Sequence, residues 1–584
     1  MGTARKTLFL VVVCLVVLLI AAGAAFGKTP KRVMIVVMDQ MQPGYAQQYD
    51  MKNVLFLQDH GVNYKRAYVG DMASETVVSH NVMVSGLFPK NMGWSDEAIR
   101  DVDGVLIDPA TTLPYGKNAI VTVGDLGTAD YVKLITATGG YPKLGDYLKA
   151  KFPGTIVANV GEKGYQVESM AANSSDWWVR MGSKKNTADL TAPFSPASVP
   201  WTGTYRGAGG NPPPYIKNDP RFLVSVGNKS YPNDYYGTKD GWPSWMYPED
   251  GRYVKGPYAG HESGDIWVAD AALAIMDNEK WSGLWVTFSA IDKIGHMWGG
   301  GAVDTLVNYT WDPDSIFREV HMPWAAKNAD DQLGRLIKKL KQKGQFDDTL
   351  IVVTADHGST YGGKGFYGTD ALDGASAYTP GVPGGWYAGT WWPSYTKPYD
   401  KPNVTDGPAA LQPLMDPKLG VEFSYQSTAI ESWLKVDSRT MDDKLDVASV
   451  MKTLPGVIAT YVMNEDGNGY RLTFASDSMT AAERRWWTRH GQELVNTMAF
   501  EGSADVVGLL ADKTLYAAYG DHGGAQKDVQ RIPMAFYMPG ISHATRRAGF
   551  RLVDITPTVL ETLGITPTAT MDGKAYHLPI PGSK

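Results

Sequence analysis

Carboxylate and imidazole side chains that could bind metal ions follow three of the most hydrophobic segments of the sequence. A fourth candidate lies in a glycine-rich string before another hydrophobic segment. The candidates are Asp39, Asp292, His296, Asp356, His357 and His522. Oxygen and nitrogen ligands without a thiolate suit two divalent ions, with Zn2+ as the expected metal. Two ions about 3.5–4 Å apart can stabilise the entering and leaving oxygens of an in-line displacement. These residues therefore predict a site for phosphoryl transfer.

A nucleophilic hydroxyl for such a reaction is offered by the segment Ala73–His80, which leads into a predicted helix. The free N–H groups and the dipole at a helix start favour a bound anion. An adjacent metal can lower the pKa of a hydroxyl enough to activate it near neutral pH. Taken alone, Ser and Thr at a helix start usually cap the helix. The segment therefore indicates a nucleophile only in combination with the candidate metal ligands.

The segments that position these residues are short and apolar without alternation, as in strands buried on both faces. They are Arg32–Met38, Gly283–Phe288, Thr349–Thr354 and Pro533–Met538. A charged amphipathic helix is predicted at Ala325–Lys343. Strands that alternate with helices predict an α/β fold with a doubly wound, mostly parallel central sheet and helices on both faces. Ligands bind beyond the carboxyl ends of such strands, so we expect the candidates to converge there.

Domain organisation follows from composition along the chain. Residues 28–584 are expected to form a single catalytic domain. Residues of about 170–265 and 361–425 are rich in Gly, Pro, Trp, Tyr and Asn and show few periodic stretches. Structureless loops of that length are uncommon unless they are functional. We therefore interpret both as insertions that wall a pocket above the sheet.

The first 27 residues indicate where the protein works. Arg5 and Lys6 precede an apolar run and then small residues, which is the pattern of a secretory signal. A membrane anchor is the alternative, because the run approaches the ~20 residues needed to cross a bilayer. Loss of this segment would remove Cys14, the only cysteine, and with it any thiol chemistry. We therefore expect a periplasmic or secreted protein. If the segment is not cleaved, it would anchor the protein to the membrane.

The charge of the chain limits its partners. Its 55 Lys and Arg residues against 61 Asp and Glu give a net charge of −6, with no run of basic residues. A nucleic-acid-binding surface is therefore not expected. A small phosphoester or nucleotide is the expected partner, and the sequence does not indicate an oligomeric state.

The order of these residues resembles that of the alkaline phosphatase superfamily. The closest similarity is to its threonine-nucleophile branch, which comprises nucleotide pyrophosphatase/phosphodiesterases and threonine-type alkaline phosphatases. The strings that carry the resemblance are Val37–Met41, Thr76–His80, Val84–Pro89, Asn91–Gly93 and Val553–Leu560. Together they frame the whole chain after the signal. The Cys-x-Pro-x-Arg string of sulfatases is absent, which excludes a formylglycine sulfatase.

The resemblance assigns a role to each candidate. It implies one metal held by Asp292, His296 and His522, and another held by Asp39, Asp356 and His357. Thr76 would lie between the two ions, contact them, attack phosphorus and form a covalent phosphothreonine-type intermediate. Water would then hydrolyse this intermediate.

Three further residues are predicted to contact the substrate, and they depart from the family patterns. Ser79 stands where phosphodiesterase relatives often have Asn, and Asn91 could supply the missing phosphoryl contact. Lys163 is the one cation where threonine-type phosphatases have a Lys-x-Arg pair. Since a dianionic monoester needs more positive charge than a diester, a phosphodiesterase or nucleotide pyrophosphatase is favoured. The alternatives are a phosphomonoesterase, a phosphonate hydrolase, and an extracytoplasmic binding protein with a degenerate site.

Overall fold

The computed structural model describes residues 29–580 apart from 109–110, 182–203, 207, 223, 227–263, 293–294, 296–314, 361–364, 367–408 and 517–520. The strands of this part are β1 Arg32–Met38, β2 Val62–Tyr64, β3 Ala98–Arg100, β4 Ile120–Thr122, β5 Ile156–Gly161, β6 Trp177–Met181, β7 Thr204–Arg206, β8 Ala208–Asn211, β9 Val224–Val226, β10 Trp281–Phe288, β11 Thr349–Thr354, β12 Gly365–Phe366, β13 Val421–Gln426, β14 Ala429–Leu434, β15 Val457–Met463, β16 Tyr470–Ala475, β17 Val506–Leu510, β18 Thr514–Leu515, β19 Met534–Tyr537 and β20 Ala544–Arg546. The helices are α1 Tyr45–Gln48, α2 Lys52–His60, α3 Thr76–Ser85, α4 Thr128–Ala137, α5 Leu144–Lys151, α6 Gly164–Ala171, α7 Pro214–Lys217, α8 Asp265–Asn278, α9 Ser315–Gln342, α10 Met441–Met451, α11 Ala481–Asn496, α12 Lys527–Gln530 and α13 Ile555–Thr562.

The central sheet has, within the described residues, the strand order β20-β2-β19-β11-β1-β10-β5-β6-β8. The five strands from β11 to β6 run parallel to one another. The strands β19 and β8 are antiparallel to their neighbours β11 and β6. The mostly parallel α/β sheet predicted from the sequence is therefore confirmed.

The strands at the centre of this sheet are buried along nearly their whole length. Burial on both faces explains why β1, β10 and β11 are continuous apolar runs rather than alternating ones. The helices α2, α8 and α9 pack together as one group, and α3, α6 and α13 form another. Helices thus cover the sheet in two groups, as a doubly wound arrangement requires.

A second sheet, which the sequence analysis did not predict, lies in residues 421–510. Its order is β13-β14-β17-β15-β16, and all its pairings are antiparallel. Two hydrophobic clusters separate from the main core belong to this sheet. One contains Trp433 and Tyr461, and the other contains Leu434 and Val447. Strands in this sheet alternate less clearly because several of them are buried on both faces.

The first predicted insertion is wrong in part. Strands β6 and β8 fall inside 170–265, yet both belong to the central sheet. They escaped prediction because β6 is only five residues long and contains Arg180, and the edge strand β8 contains Gly209 and Gly210. Residues 421–425 of the second predicted insertion belong to β13. Most of the remainder of both regions lies outside the described residues, so the pocket-wall role stays a prediction.

The predicted signal or anchor, residues 1–27, lies outside the described residues. Among the described helices, none combines the length and the apolar character needed to cross a membrane. The predicted helix Ala325–Lys343 is present, but it begins ten residues earlier, at Ser315.

Candidate metal centre

The register of the central sheet brings the candidate aspartates together. Val37 of β1 lies opposite Thr354 of β11, so Asp39 and Asp356 each lie two residues beyond a pair of facing positions. Met38 lies opposite Phe288 of β10, four residues before Asp292. The next strand, β19, is antiparallel, and the loop before it returns to the same edge. That reversal explains how His522, which precedes a strand, joins residues that follow strands.

One group of candidate ligands consists of Asp39, Asp356 and His357, whose ligand atoms lie within 4.8 Å of one another. The three side chains are wholly buried. His357 Nδ1 lies 2.9 Å from the carbonyl of Gly358 and must donate to it, because a carbonyl only accepts. Burial lowers the pKa of His357, so the neutral ring presents the lone pair of Nε2 to the group. Neutral imidazole oriented in this way is a metal ligand.

A second group consists of Asp292, His357 and His522, again with ligand atoms within 4.8 Å. His522 Nε2 lies 3.8 Å from Asp292 Oδ1, and its ring stacks on that of His357 at 3.6 Å between centroids. His357 is thus within reach of both groups, whereas the resemblance placed it in one. The predicted third ligand of this group, His296, lies outside the described residues.

Thr76 lies at the first position of α3, where the helix leaves backbone N–H groups free. Its Oγ1 is 3.1 Å from Nε2 of His357, the residue common to both groups. Ser79, one turn later, is wholly buried, and its Oγ has no hydrogen-bond partner among the described residues. The helix start therefore presents one hydroxyl to the centre.

The electrostatics of the centre reflect its burial. Burial raises the pKa of Asp39 well above its usual value, and repulsion from Asp292 and Asp356 raises it further. Burial likewise raises the pKa of Asp356 to about 6. Carboxylates packed this closely are stable in their charged form only beside cations.

The residues present fit a pair of divalent ions. Asp39 Oδ1 and Asp356 Oδ2 are buried and accept no hydrogen bond from any described residue. They face His357 Nε2 at 3.6 and 3.5 Å. Two carboxylate oxygens and an imidazole nitrogen directed at one point are a ligand set for a hard or borderline divalent cation. The described groups can therefore hold metal, which agrees with the sequence analysis; they do not distinguish one metal from another.

Lys163 is the cation that the structure brings into contact with this centre. Its Nζ donates to Asp39 Oδ2 at 2.8 Å and also to Asp292 Oδ2. Burial acts to lower the pKa of Lys163, but the carboxylates of Asp292 and Asp39 outweigh it and raise the pKa. Lys163 therefore lies where a substrate-binding cation is predicted, although it is bonded here to the ligands themselves.

Asn91 lies elsewhere. Its side-chain amide donates to both carboxylate oxygens of Asp572, at 2.9 and 3.1 Å. The backbone N–H of Asp572 in turn donates to the carbonyl of Gly86, at the C-terminal end of α3. A helix of ten residues is about 15 Å long, so Asn91 belongs to the end of α3 opposite Thr76. The structure gives no support to the predicted contact between Asn91 and a phosphoryl group.

Sequence reasoning missed Gln40 and Gln166, two buried residues that hydrogen-bond to the aspartates. It also left the role of His80 general. His80 Nδ1 donates to the carbonyl of Thr76 at 2.7 Å, and its Nε2 lies 2.9 Å from the hydroxyl of Thr287 in β10. Adjacency to Asp39 was the available signal for Gln40; Gln166 offered none beyond its place three residues after Lys163.

Comparison with known proteins agrees with this geometry. The profile of the family described as type I phosphodiesterase / nucleotide pyrophosphatase matches residues 155–381. This stretch contains Lys163, Asp292, Asp356 and His357. Over residues 155–381 the chain is thus similar to the type I phosphodiesterase / nucleotide pyrophosphatase family. This similarity supports a phosphoester hydrolase over the non-catalytic binding protein that the sequence left as an alternative.

Solved structures show a similar fold. The wild-type alkaline phosphatase PafA is 15% identical with a TM-score of 0.56, over 94% of this chain and 98% of that chain. A multiple mutant of PafA is 14% identical with a TM-score of 0.54, at the same coverage. Murine ectonucleotide pyrophosphatase / phosphodiesterase 5 is 11% identical with a TM-score of 0.49, over 93% and 97%. The two PafA structures establish an alkaline-phosphatase-like fold. A comparison with curated proteins finds no significant match.

Proposed function

We propose that the protein is an exported, metal-dependent phosphodiesterase or nucleotide pyrophosphatase in which Thr76 is the nucleophile. The observation that carries the proposal is the position of Thr76 Oγ1 at the start of a helix, 3.1 Å from Nε2 of His357, the residue common to the two groups of buried candidate ligands. Two divalent ions bound there, expected to be Zn2+, would stabilise the charge that develops on the entering and leaving oxygens.

The chain's own residues account for the two chemical steps. Thr76 Oγ1 attacks phosphorus as the bond to the leaving alcohol breaks, and the alcohol departs with a proton. Water then attacks the phosphothreonine diester, which releases the phosphomonoester and regenerates the hydroxyl. The free N–H groups at the start of α3 favour the negative charge of the transferring group.

The charge around Thr76 supports a diester rather than a monoester. Glu75 directly precedes Thr76, and burial, together with repulsion from Asp96, raises its pKa well above the usual value. Burial, with repulsion from Asp96 and Asp521, raises the pKa of Glu97 to about 7. Lys163, the cation in contact with the centre, is already bonded to two aspartates. A dianionic monoester would add one more negative charge to these surroundings than a diester does.

The test compares bis-p-nitrophenyl phosphate with p-nitrophenyl phosphate on the zinc-loaded protein. We expect kcat/KM for the diester to be at least tenfold higher. A higher value for the monoester would establish the phosphomonoesterase alternative, and turnover of a C–P substrate above both would establish the phosphonate hydrolase. Export is checked separately, by the N-terminal sequence of the protein recovered outside the cytoplasm.

A further inference from the structure

Two glutamines donate hydrogen bonds to the three aspartates of the candidate metal centre. Gln40 follows Asp39 at the end of β1, and Gln166 lies in the first turn of α6. Both side chains are wholly buried. The family match and the proposed mechanism assign neither of them a role.

Gln40 bonds to both groups of ligands. Its backbone N–H donates to Asp356 Oδ1 at 3.1 Å, and its Nε2 donates to Asp292 Oδ1 at 3.1 Å. Its backbone lies in the left-handed region, with φ of 67°. A residue other than glycine adopts that region at a cost of about 1 kcal/mol or more, which the surrounding contacts must offset. The geometry directs the side chain across the sheet edge, from β1 to the residue that follows β10.

Gln166 bonds to the other aspartate. Its Nε2 donates to Asp39 Oδ2. Its Oε1 accepts from the hydroxyl of Ser289 at 3.0 Å and from the backbone N–H of Lys163 at 3.1 Å. Because two donors meet Oε1, the amide can take only one orientation, and its N–H groups must face Asp39.

In Asp39 and Asp356 these bonds divide the two carboxylate oxygens between two tasks, whereas in Asp292 the oxygen that accepts from Gln40, Oδ1, is also the one that faces His522. Asp39 uses Oδ2 for Gln166 and Lys163 and leaves Oδ1 facing His357 Nε2 at 3.6 Å. Asp356 uses Oδ1 for the backbone of Gln40 and leaves Oδ2 facing the same nitrogen at 3.5 Å. A carboxylate held at one oxygen cannot rotate, so the other oxygen stays directed at the metal position.

We propose that Gln40 and Gln166 are positioning residues that act on different ions, an inference that rests on the proposed two-metal site. The side chain of Gln40 orients Asp292, and with it the group of Asp292 and His522. The side chain of Gln166 orients Asp39, and with it the group of Asp39 and Asp356. Each glutamine therefore controls the affinity of one ion and leaves the other nearly unchanged.

The test measures zinc affinity by competition with a chelator, in the purified full-length protein. The substitutions Gln40→Met and Gln166→Met remove the amide donors at nearly constant volume. A His522→Ala background disables one group, so the remaining zinc reports on the group of Asp39 and Asp356. In that background we expect Gln166→Met to weaken zinc 10–100-fold and Gln40→Met to change it less than threefold. Gln58→Met, a buried glutamine on α2, is the matched control.

The outcomes separate the inference from the proposed function. If the wild-type protein binds no zinc, the proposed function fails. If the wild type binds two zinc ions and Gln166→Met binds the remaining ion as tightly as its parent, the inference is overturned. An equal loss for both glutamine variants overturns the division between ions. Should Gln166→Met not fold, Ser289→Ala, which removes one of the two donors that orient the Gln166 amide, must weaken the binding of the same ion; unchanged affinity there overturns the inference as well.

Discussion

At the scale of single residues, Thr76 is held in place from both sides. His80 binds its carbonyl at 2.7 Å, and Nε2 of His357 lies 3.1 Å from its hydroxyl. Because His80 is buried, its pKa is lowered to about 3, and the ring stays neutral over the range in which the enzyme would work. A neutral His80 fixes the first turn of α3 without adding charge beside the nucleophile.

Thr76→Ala should lower kcat at least about a thousandfold, since no other described hydroxyl contacts His357 Nε2. Zinc content should remain at the wild-type value, because carboxylates and imidazoles supply the ligands. Thr76→Ser, which keeps a hydroxyl, should retain measurable turnover. Single-turnover kinetics and metal analysis on the same preparations give both quantities, and wild-type turnover by Thr76→Ala would remove the nucleophile assignment.

Asn91→Ala offers the complementary result. Its amide bonds to Asp572 at the far end of α3, so KM for a phosphodiester should stay within twofold of the wild type. The loss of an exposed hydrogen bond to a carboxylate should lower the free energy of unfolding by about 1 kcal/mol. A denaturant titration with initial-rate kinetics checks both, and a large rise in KM would restore the predicted substrate contact.

Residue types that bind metals could be identified from the sequence, but their supporting contacts could not. Asp39, Asp356 and His357 follow apolar runs, so their common position follows from strand geometry. Gln166 bonds to Asp39 across 127 positions of sequence, and glutamine is ordinary on a helix surface. Because glutamine has no characteristic spacing and its partner is distant in the sequence, no local sequence pattern predicts this contact.

At the scale of elements, β19 matters most for the site. The apolar run in the sequence predicted this strand, but it did not predict whether the strand runs parallel or antiparallel to its neighbour. The antiparallel pairing with β11 brings the loop before β19, with His522, to the edge where the parallel strands end. A parallel β19 would have put that loop at the opposite edge. Apolar runs predict that a strand exists, whereas pairing direction depends on the connections between strands.

Gly358→Ala tests how closely the loop after β11 packs on α12. A Cβ at this position would lie 2.2 Å from the carbonyl oxygen of Asp528, and that backbone cannot move aside cheaply. We expect the free energy of unfolding to fall by about 1–3 kcal/mol, as for other overpacked sites. Zinc affinity should fall too, because His357 is the adjoining residue.

The matched control for that substitution is Gly44→Ala, where a Cβ would meet nothing within 4 Å. Chemical denaturation followed by far-UV circular dichroism reports the stability of both variants. Equal stability of the two would mean that the loop and α12 can separate without cost.

At the scale of the whole molecule, buried carboxyl groups should make stability depend on pH. Burial raises the pKa of Asp71 from 3.8 to about 7. Between these values the unfolded chain has released the proton that the native state keeps, so rising pH favours unfolding. Below pH 4 both states hold the proton, and above pH 7 the difference is constant.

Asp71→Asn should therefore stabilise the protein, by an amount that grows from pH 4 to pH 7 and reaches a few kcal/mol. An amide can still accept from the backbone N–H of Ser74, as the carboxylate does at 3.0 Å. Denaturant titrations at four pH values, with Asp59→Asn on α2 as an exposed control, measure the difference. A constant difference across that range would contradict the expected behaviour of Asp71.

The late position of His522 has a consequence for the life of the polypeptide. His522 follows Asp39 by 483 residues, so the candidate ligands can come together only late in synthesis, after the loop before β19 has been made. A nascent, nicked or prematurely terminated chain that lacks this stretch misses one of the ligands of the ion beside Asp292. If the proposed centre is correct, by-products of expression that lack His522 should be inert rather than partly active.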